Sequence, residues 1–142
     1  MGCSLNSTQE ASLNNAVLSY VDSHNAGAVM KFVSIIHPKV VQYYEGEGDE
    51  AFKQKFELFS QMEGGAYIQD GTVWEIETKG KSIHARYTFL SIEDNYENFG
   101  SAEIEVIAIS EDQGVTWFFV DREDYKNNAI FNDDFRLLEL KE

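Results

Sequence analysis

The sequence predicts a single α+β domain, in which three N-terminal helices pack on an antiparallel sheet. Apolar residues recur at steps of three and four in the first part of the chain, and alternate with polar residues from residue 66 onward. Glycine-containing turns separate the alternating segments, which is typical of β-hairpins. The 142 residues suffice for one domain with a full core. We interpret residues 1–8 as a flexible N-terminus and residues 9–142 as the domain.

The first two helices are defined by their apolar stripes and by their ends. The first is predicted over residues 7–24, because Ser7 and Glu10 have the spacing of a capping box. The second ends at His37, since the residue before Pro38 avoids the α region. The stripes comprise Leu13, Val17, Tyr20, Val21 and His24 in the first helix, and Val29, Phe32, Val33 and Ile36 in the second.

Two further elements precede the alternating part of the chain. Residues 39–45 predict a short strand, because valine and tyrosine dominate the segment and favour β structure. A third helix is predicted from Asp49, a capping residue, to the glycine pair Gly64-Gly65. Its apolar face comprises Phe52, Phe56, Phe59 and Met62.

The alternating segments predict four strands, over residues 67–78, 82–92, 101–110 and 115–120. One face is predicted to be buried, and it carries Trp74, Ile76, Ile83, Ala85, Tyr87, Phe89, Ala102, Ile104, Val106, Ala108, Trp117 and Phe119. The other is predicted to face water, with cross-strand ion pairs among Glu75, Glu77, His84, Arg86, Glu103 and Glu105. The tail fits two alternatives, a helix through Phe131, Phe135 and Leu138 or a strand through Leu138 and Leu140.

The charge balance excludes several classes of partner. The chain has 11 basic and 25 acidic residues, a net charge of −14, which repels phosphate backbones and anionic lipid headgroups. Three histidines and one cysteine show no zinc-ligand spacing, so we expect no metal. The sequence has no phosphate-cradling glycine loop, and we expect no cofactor. The acidic stretch of Asp121, Glu123, Asp124, Asp133 and Asp134 lacks the spacing of a calcium loop, and we interpret it as a solvated face.

The first residues leave the location open. Met1-Gly2-Cys3-Ser4 resembles the end of a bacterial lipoprotein signal, in which a small residue precedes the lipidated cysteine. A plain cytosolic start explains the same residues equally well. The expected location is therefore the cytoplasm or, with Cys3 as a lipid attachment site, the bacterial cell envelope.

Two short runs carry a family resemblance. Tyr20-Val21, three residues and then Asn25-Ala26-Gly27, followed by the break at His37-Pro38, resembles the nuclear-transport-factor-2-like superfamily, also called ketosteroid-isomerase-like or SnoaL-like. The resemblance implies a cystatin-like cone, in which a curved sheet wraps the first helix around an aromatic pocket. It implies that this pocket is lined by Tyr20, His24, Tyr44, Trp74, Tyr87, Phe89, Trp117 and Phe119.

The same resemblance suggests which residues could be catalytic. In isomerase members a tyrosine at the place of Tyr20 donates a hydrogen bond to a developing enolate, and His24, one turn later, is a candidate partner. The base that such chemistry needs is missing, because its expected place is Tyr44. Tyr20 also fits an ordinary core tyrosine, and His24 a residue that caps its helix. His37, a third acid–base candidate, also fits a residue that merely precedes the helix stop.

Three functions therefore remain open. The first is a non-catalytic domain that binds a small apolar ligand. The second is an isomerase- or cyclase-like enzyme that uses Tyr20, with His24 or an acid that the sequence does not reveal, on an apolar carbonyl substrate. The third is an interaction or envelope protein that forms a homodimer through the outer face of its sheet.

Overall fold

The computed structural model describes residues 5–57, 67–94 and 99–140 of the chain. Helices come first and an antiparallel sheet follows, which confirms the α+β prediction. The helices are α1 (Ser7–Asn25), α2 (Val29–Ser34), α3 (Pro38–Glu47), α4 (Asp49–Phe56) and α5 (Arg122–Tyr125). The strands are β1 (Tyr67–Lys79), β2 (Ser82–Asp94), β3 (Phe99–Ser110) and β4 (Phe118–Asp121).

Helix α1 is capped one residue earlier than the sequence indicated. The side chain of Asn6 accepts a hydrogen bond from the Gln9 backbone at 2.8 Å, and the Gln9 side chain accepts one from the Asn6 backbone at 3.0 Å. This is a complete capping box, so the predicted Ser7–Glu10 pair is wrong. The buried stripe of α1 holds Leu13, Val17 and Tyr20, as predicted.

The predicted strand over residues 39–45 is wrong, because the segment forms helix α3. Pro38 occupies the first turn, where its missing N–H costs no hydrogen bond. His37 is the N-cap, and its Nδ1 accepts a hydrogen bond from the Lys39 backbone at 3.1 Å. Four helices, rather than three, therefore precede the described part of the sheet.

The described strands pair in the order β1-β2-β3-β4, all antiparallel. Strand β1 is irregular near Gly71, where a Cβ would lie 1.5 Å from the Thr88 carbonyl oxygen, so only glycine fits this close approach. Strand β4 begins at Phe118 rather than at residue 115. The backbone of Phe119 bonds to Ile35 and His37 at 2.9 and 3.1 Å, which ties the end of α2 to β4.

The inner face of the sheet packs against the helices. Its described side chains include Ile83, Ala85, Tyr87, Phe89, Val106, Ala108, Trp117 and Phe119, all buried as predicted. Two residues predicted on this face are not fully buried: Ile104 is 37% exposed, and Ile76 is partly buried. The side chains of Trp74 and Ala102, also predicted on this face, lie outside the described part of the structure.

The outer face is only partly in water. Arg86 pairs with Glu75 at 3.2 Å and with Glu105 at 2.8 Å, which confirms the predicted cross-strand ion pairs. The prediction that His84 faces water is wrong, because its exposure is 0%. Tyr125 of α5 and Phe135 of the segment after α5 cover it, and that segment forms turns rather than either of the predicted regular elements. Ile107 and Ile109 of β3 are fully buried as well.

Several predictions fall on residues that the structure does not describe. They concern Cys3 at the N-terminus and Phe59, Met62 and Gly64-Gly65 at the end of the third predicted helix. Among the described helices, none combines the length and the hydropathy required to cross a bilayer.

Candidate functional site

A cavity of about 210 Å³ lies where α1, α2 and α4 meet β3, β4 and α5. Tyr20 and His24 of α1 both reach the cavity, because residues four apart lie on the same face of a helix. The described residues that line the cavity are Tyr20, His24, Phe32, Ile36, Lys55, Phe56, Ile104, Asp121 and Asp124. The cavity therefore joins an aromatic and aliphatic part to a charged part.

The ring of Tyr20 is fixed by three aromatic neighbours. It stacks on Phe89 with 4.9 Å between the ring centroids, and it contacts Phe119 at 4.8 Å and Phe32 at 5.1 Å. Such pairs add roughly 0.5–1.5 kcal/mol each to the stabilisation that burial supplies. Tyr20 therefore keeps one orientation at the cavity.

The hydroxyl of Tyr20 has no hydrogen-bond partner among the described residues, although Tyr20 exposes only 6% of its surface. Burial, and secondarily the charge of Asp121, raises the pKa of Tyr20 well above its usual value. The phenol is thus neutral at physiological pH and retains its proton. Because Tyr20 lines the cavity, its hydroxyl is a donor for a group bound there.

His24 is held by Asn25, which in turn is held by the backbone of β1. The Asn25 side chain donates to and accepts from the Ile68 backbone, both at 2.8 Å. Its oxygen also lies 3.2 Å from Nδ1 of His24, so Nδ1 carries the proton and Nε2 is the acceptor. Burial lowers the pKa of His24, against smaller opposing effects of Asn25 and Asp121. His24 is therefore neutral at physiological pH.

Lys55 of α4 connects two aspartates at the charged end of the cavity. Its Nζ lies 2.6 Å from Asp121 Oδ2 and 2.7 Å from Asp124 Oδ2. Tyr44 donates a hydrogen bond to Asp124 Oδ1 at 2.6 Å. Burial lowers the pKa of Lys55, but the two ion pairs more than offset this and raise it above its ordinary value. Burial and the bond to Asp124 raise the pKa of Tyr44 to about 12.

Asp121 is oriented toward the cavity rather than toward its own helix. It occupies the N-cap position of α5 but makes no capping hydrogen bond with its side chain. Lys55 engages Oδ2, whereas Oδ1 has no hydrogen-bond partner among the described residues. Asp121 also pairs with Val106 across the sheet, on the face that carries Phe119. Its carboxylate therefore has one oxygen available to a bound molecule.

The residues predicted for the pocket occupy three different places. Tyr20 and His24 line the cavity, and Phe89 and Phe119 lie directly behind the Tyr20 ring. Tyr44 is one step away, bonded to Asp124. Tyr87 and Trp117 are buried but are not part of the lining, and the Trp74 side chain lies outside the described part.

His37, the third acid–base candidate, has a structural position away from this cavity. Its Nδ1 caps α3, and its Nε2 lies 3.2 Å from Glu111. Both ring nitrogens are therefore engaged, with the proton on Nε2.

Sequence reasoning missed the charged end of the cavity. Asp124 was interpreted as part of a solvated face, and this is wrong, because it is 3% exposed and bonded to Tyr44 and Lys55. A signal for Asp121 was present, since it follows Phe119 by two residues and so shares its face of the strand. Lys55 had no such signal, because its partners lie more than 60 residues away.

Comparison with known proteins leaves the site to be interpreted from its own geometry. No protein-family model matches the chain, and no curated protein is significantly similar to it. Within the described ranges, no three His, Cys, Asp or Glu side chains converge as metal ligands would.

Proposed function

We propose that this domain binds a small, largely apolar molecule in the cavity beside α1, and that it does so without transforming it. The observation that carries the proposal is the hydroxyl of Tyr20, which lines an aromatic cavity and has no hydrogen-bond partner among the described residues. A few precisely placed polar groups in an otherwise apolar pocket are typical of ligand sites. The resemblance to the nuclear-transport-factor-2-like superfamily supports the same proposal.

The size of the cavity limits the ligand. Pockets for drug-sized molecules measure roughly 300–1,000 Å³, whereas this cavity measures about 210 Å³. An apolar cavity of about 150 Å³ accommodates benzene. We therefore expect a ligand with one ring or a short branched chain and a single polar group.

Native mass spectrometry of freshly purified protein, with a denatured control, tests the proposal. We expect a small-molecule adduct that disappears on denaturation and that is lost when Ile104→Trp fills the cavity. Ile104 suits this change because it lines the cavity and is partly exposed. The matched control is Leu18→Trp on the exposed side of α1, which should retain the adduct. An adduct that survives Ile104→Trp would contradict this assignment of the site.

A second candidate function is acid–base catalysis on a carbonyl compound, and it is favoured by one specific observation. The base expected near Tyr44 is absent, but Asp121 brings a carboxylate into the cavity that Tyr20 and His24 line. In this proposal Asp121 takes the proton next to the carbonyl, and Tyr20 donates a hydrogen bond to the enolate oxygen. Because Lys55 already engages one oxygen of Asp121, binding remains the first proposal.

Deuterium exchange distinguishes catalysis from binding. Catalysis by Asp121 requires that cyclohexanone in deuterated buffer exchange its α-protons faster with the wild-type protein than with an Asp121→Asn variant, as read by proton NMR, whereas binding without chemistry predicts no difference. Equal exchange rates with both proteins would exclude this chemistry and leave binding as the function.

A further inference from the structure

The charges that line the cavity do not cancel. Lys55 contributes one positive charge, and Asp121 and Asp124 contribute two negative ones. His24 adds no charge at physiological pH, because burial lowers its pKa. Among the described lining residues one negative charge is therefore left over. The side chain of Asp121 is 43% exposed, and its Oδ1 has no hydrogen-bond partner among the described residues.

The aromatic part of the cavity adds a second, independent feature. Tyr20 is more than nine-tenths buried, lines the cavity and has an unpartnered hydroxyl among the described residues. Phe32 lines the same cavity, and its ring centroid lies 5.1 Å from that of Tyr20. Aromatic rings attract cations through their quadrupole.

We propose that the ligand is a small organic cation, with its ammonium group beside Asp121 and its apolar body against Tyr20 and Phe32. This inference rests on the proposed binding function and names the chemical class of the ligand. An ammonium group would donate to Asp121 Oδ1 and offset the remaining negative charge. The net charge of −14 on the whole chain would also speed the approach of a cation.

The alternatives fit the lining less well. A carboxylate or phosphate would face two aspartates, and the one cation among the described lining residues already engages both of them. A neutral alcohol could bond to Tyr20 but would leave the negative charge uncompensated. The order of affinity should therefore be cation, then neutral molecule, then anion.

Three probes of equal shape test this order: benzylamine, benzyl alcohol and benzoate. Each is titrated at neutral pH into isotope-labelled protein, and the backbone amide NMR shifts of cavity residues give the affinity. We expect benzylamine to bind at least about tenfold more tightly than benzyl alcohol, and benzoate to produce no shifts at the cavity. An alcohol or a carboxylate that binds as tightly as the amine would overturn the cation assignment and leave the binding function standing.

Two variants assign the preference to a residue. Asp121→Asn should lower the affinity for benzylamine about tenfold and leave that for benzyl alcohol unchanged. Asp22→Asn, which removes the same charge from an exposed position of α1, should alter neither. Equal effects of the two variants would overturn the role of Asp121. We expect the Asp121→Asn variant to fold, because Lys55 keeps its ion pair with Asp124. The three probes bound to the wild-type protein test the preference for a cation independently of this variant.

Should none of the three probes shift any cavity amide at millimolar concentration, both the cation assignment and the proposed binding function would fail. That result is distinguishable from failure of the cation assignment alone, in which benzyl alcohol still shifts the cavity amides.

Discussion

Two buried tyrosines, Tyr20 and Tyr125, place their hydroxyls in opposite environments. The Tyr125 hydroxyl donates to His84 Nδ1 at 2.6 Å and accepts from the Leu138 backbone at 3.0 Å. The Tyr20 hydroxyl has no partner among the described residues. Tyr125→Phe should therefore reduce the free energy of unfolding by about 1–3 kcal/mol, because it leaves the Leu138 N–H without its acceptor and His84 Nδ1 with only the longer bond from the Leu137 backbone at 3.4 Å. Tyr20→Phe should be nearly neutral. Urea unfolding followed by circular dichroism measures both, and an equal loss in the two variants would contradict the assignment.

His84 gives the folded state a specific sensitivity to acid. Burial, and secondarily nearby His37, lowers the pKa of His84 to about 4. In the unfolded chain a histidine has a pKa of about 6.5. Between these values the unfolded chain binds a proton that the folded chain does not, so the free energy of unfolding falls as the pH falls through this window. The gap corresponds to roughly 3 kcal/mol.

The comparison that isolates this effect is His84→Gln, which cannot titrate but still offers an oxygen to Tyr125. We expect the stability of the wild type to decrease from about pH 6.5 to about pH 4 by roughly 3 kcal/mol more than that of the variant. The absolute stability of the variant is unimportant, because only the two slopes are compared. Parallel pH profiles would mean that His84 does not carry the effect.

At the scale of elements, Lys55 joins α4 to the junction of β4 and α5. Lys55→Met would leave Asp124, which is 3% exposed, without its counterion. Loss of one partner of a buried ion pair typically costs about 3–5 kcal/mol, and we expect that loss in urea unfolding. Lys53→Met is the matched control, because Lys53 lies on the same helix but is exposed, and it should be nearly neutral. A small effect in both variants would show that the pair contributes little.

The segment 38–47 shows that local sequence preference alone does not determine whether a segment forms a helix or a strand. Its valines and tyrosines favour strand formation, yet tertiary contacts override that preference, since Val40 is buried and Tyr44 bonds to Asp124. The helix signal was present in Pro38 at the first turn, but a proline serves equally as the stop of the preceding helix. Periodicity thus predicted the order of most elements, whereas the type of this one was decided by contacts distant in sequence.

The candidate site also contains residues that local spacing predicts and residues that it does not predict. Tyr20 and His24 were predictable together, because they are four residues apart on one helix. The charged end was not, because Lys55 meets Asp121 across 66 residues of sequence. Spacing along the chain predicts which residues share a face of one element. It does not predict which faces of different elements meet at a cavity.

At the scale of the whole molecule, part of the sheet is covered on both faces. Helix α1 packs on the inner face through Tyr20, which stacks on Phe89. The segment after α5 packs on the outer face, where Phe135 contacts His84 and stacks on Phe131. The alternation of polar and apolar residues had predicted one wet face. That prediction holds for the charged part of the face around Arg86, which is partly solvated, and fails for the end around His84, which is buried.

Because both faces of the sheet are covered, we expect the packing on each face to contribute to the stability of the fold. Phe131 is 1% exposed on the outer side and Phe89 is 1% exposed on the inner side. Phe131→Ala and Phe89→Ala should therefore each cost about 3–5 kcal/mol, as measured by urea unfolding. A sheet with one wet face would make Phe131→Ala almost neutral and leave only Phe89→Ala costly. The two variants should lose similar amounts of unfolding free energy but differ in ligand binding. Only Phe89→Ala removes the ring on which Tyr20 stacks, so only that variant should weaken the binding of benzylamine at the cavity.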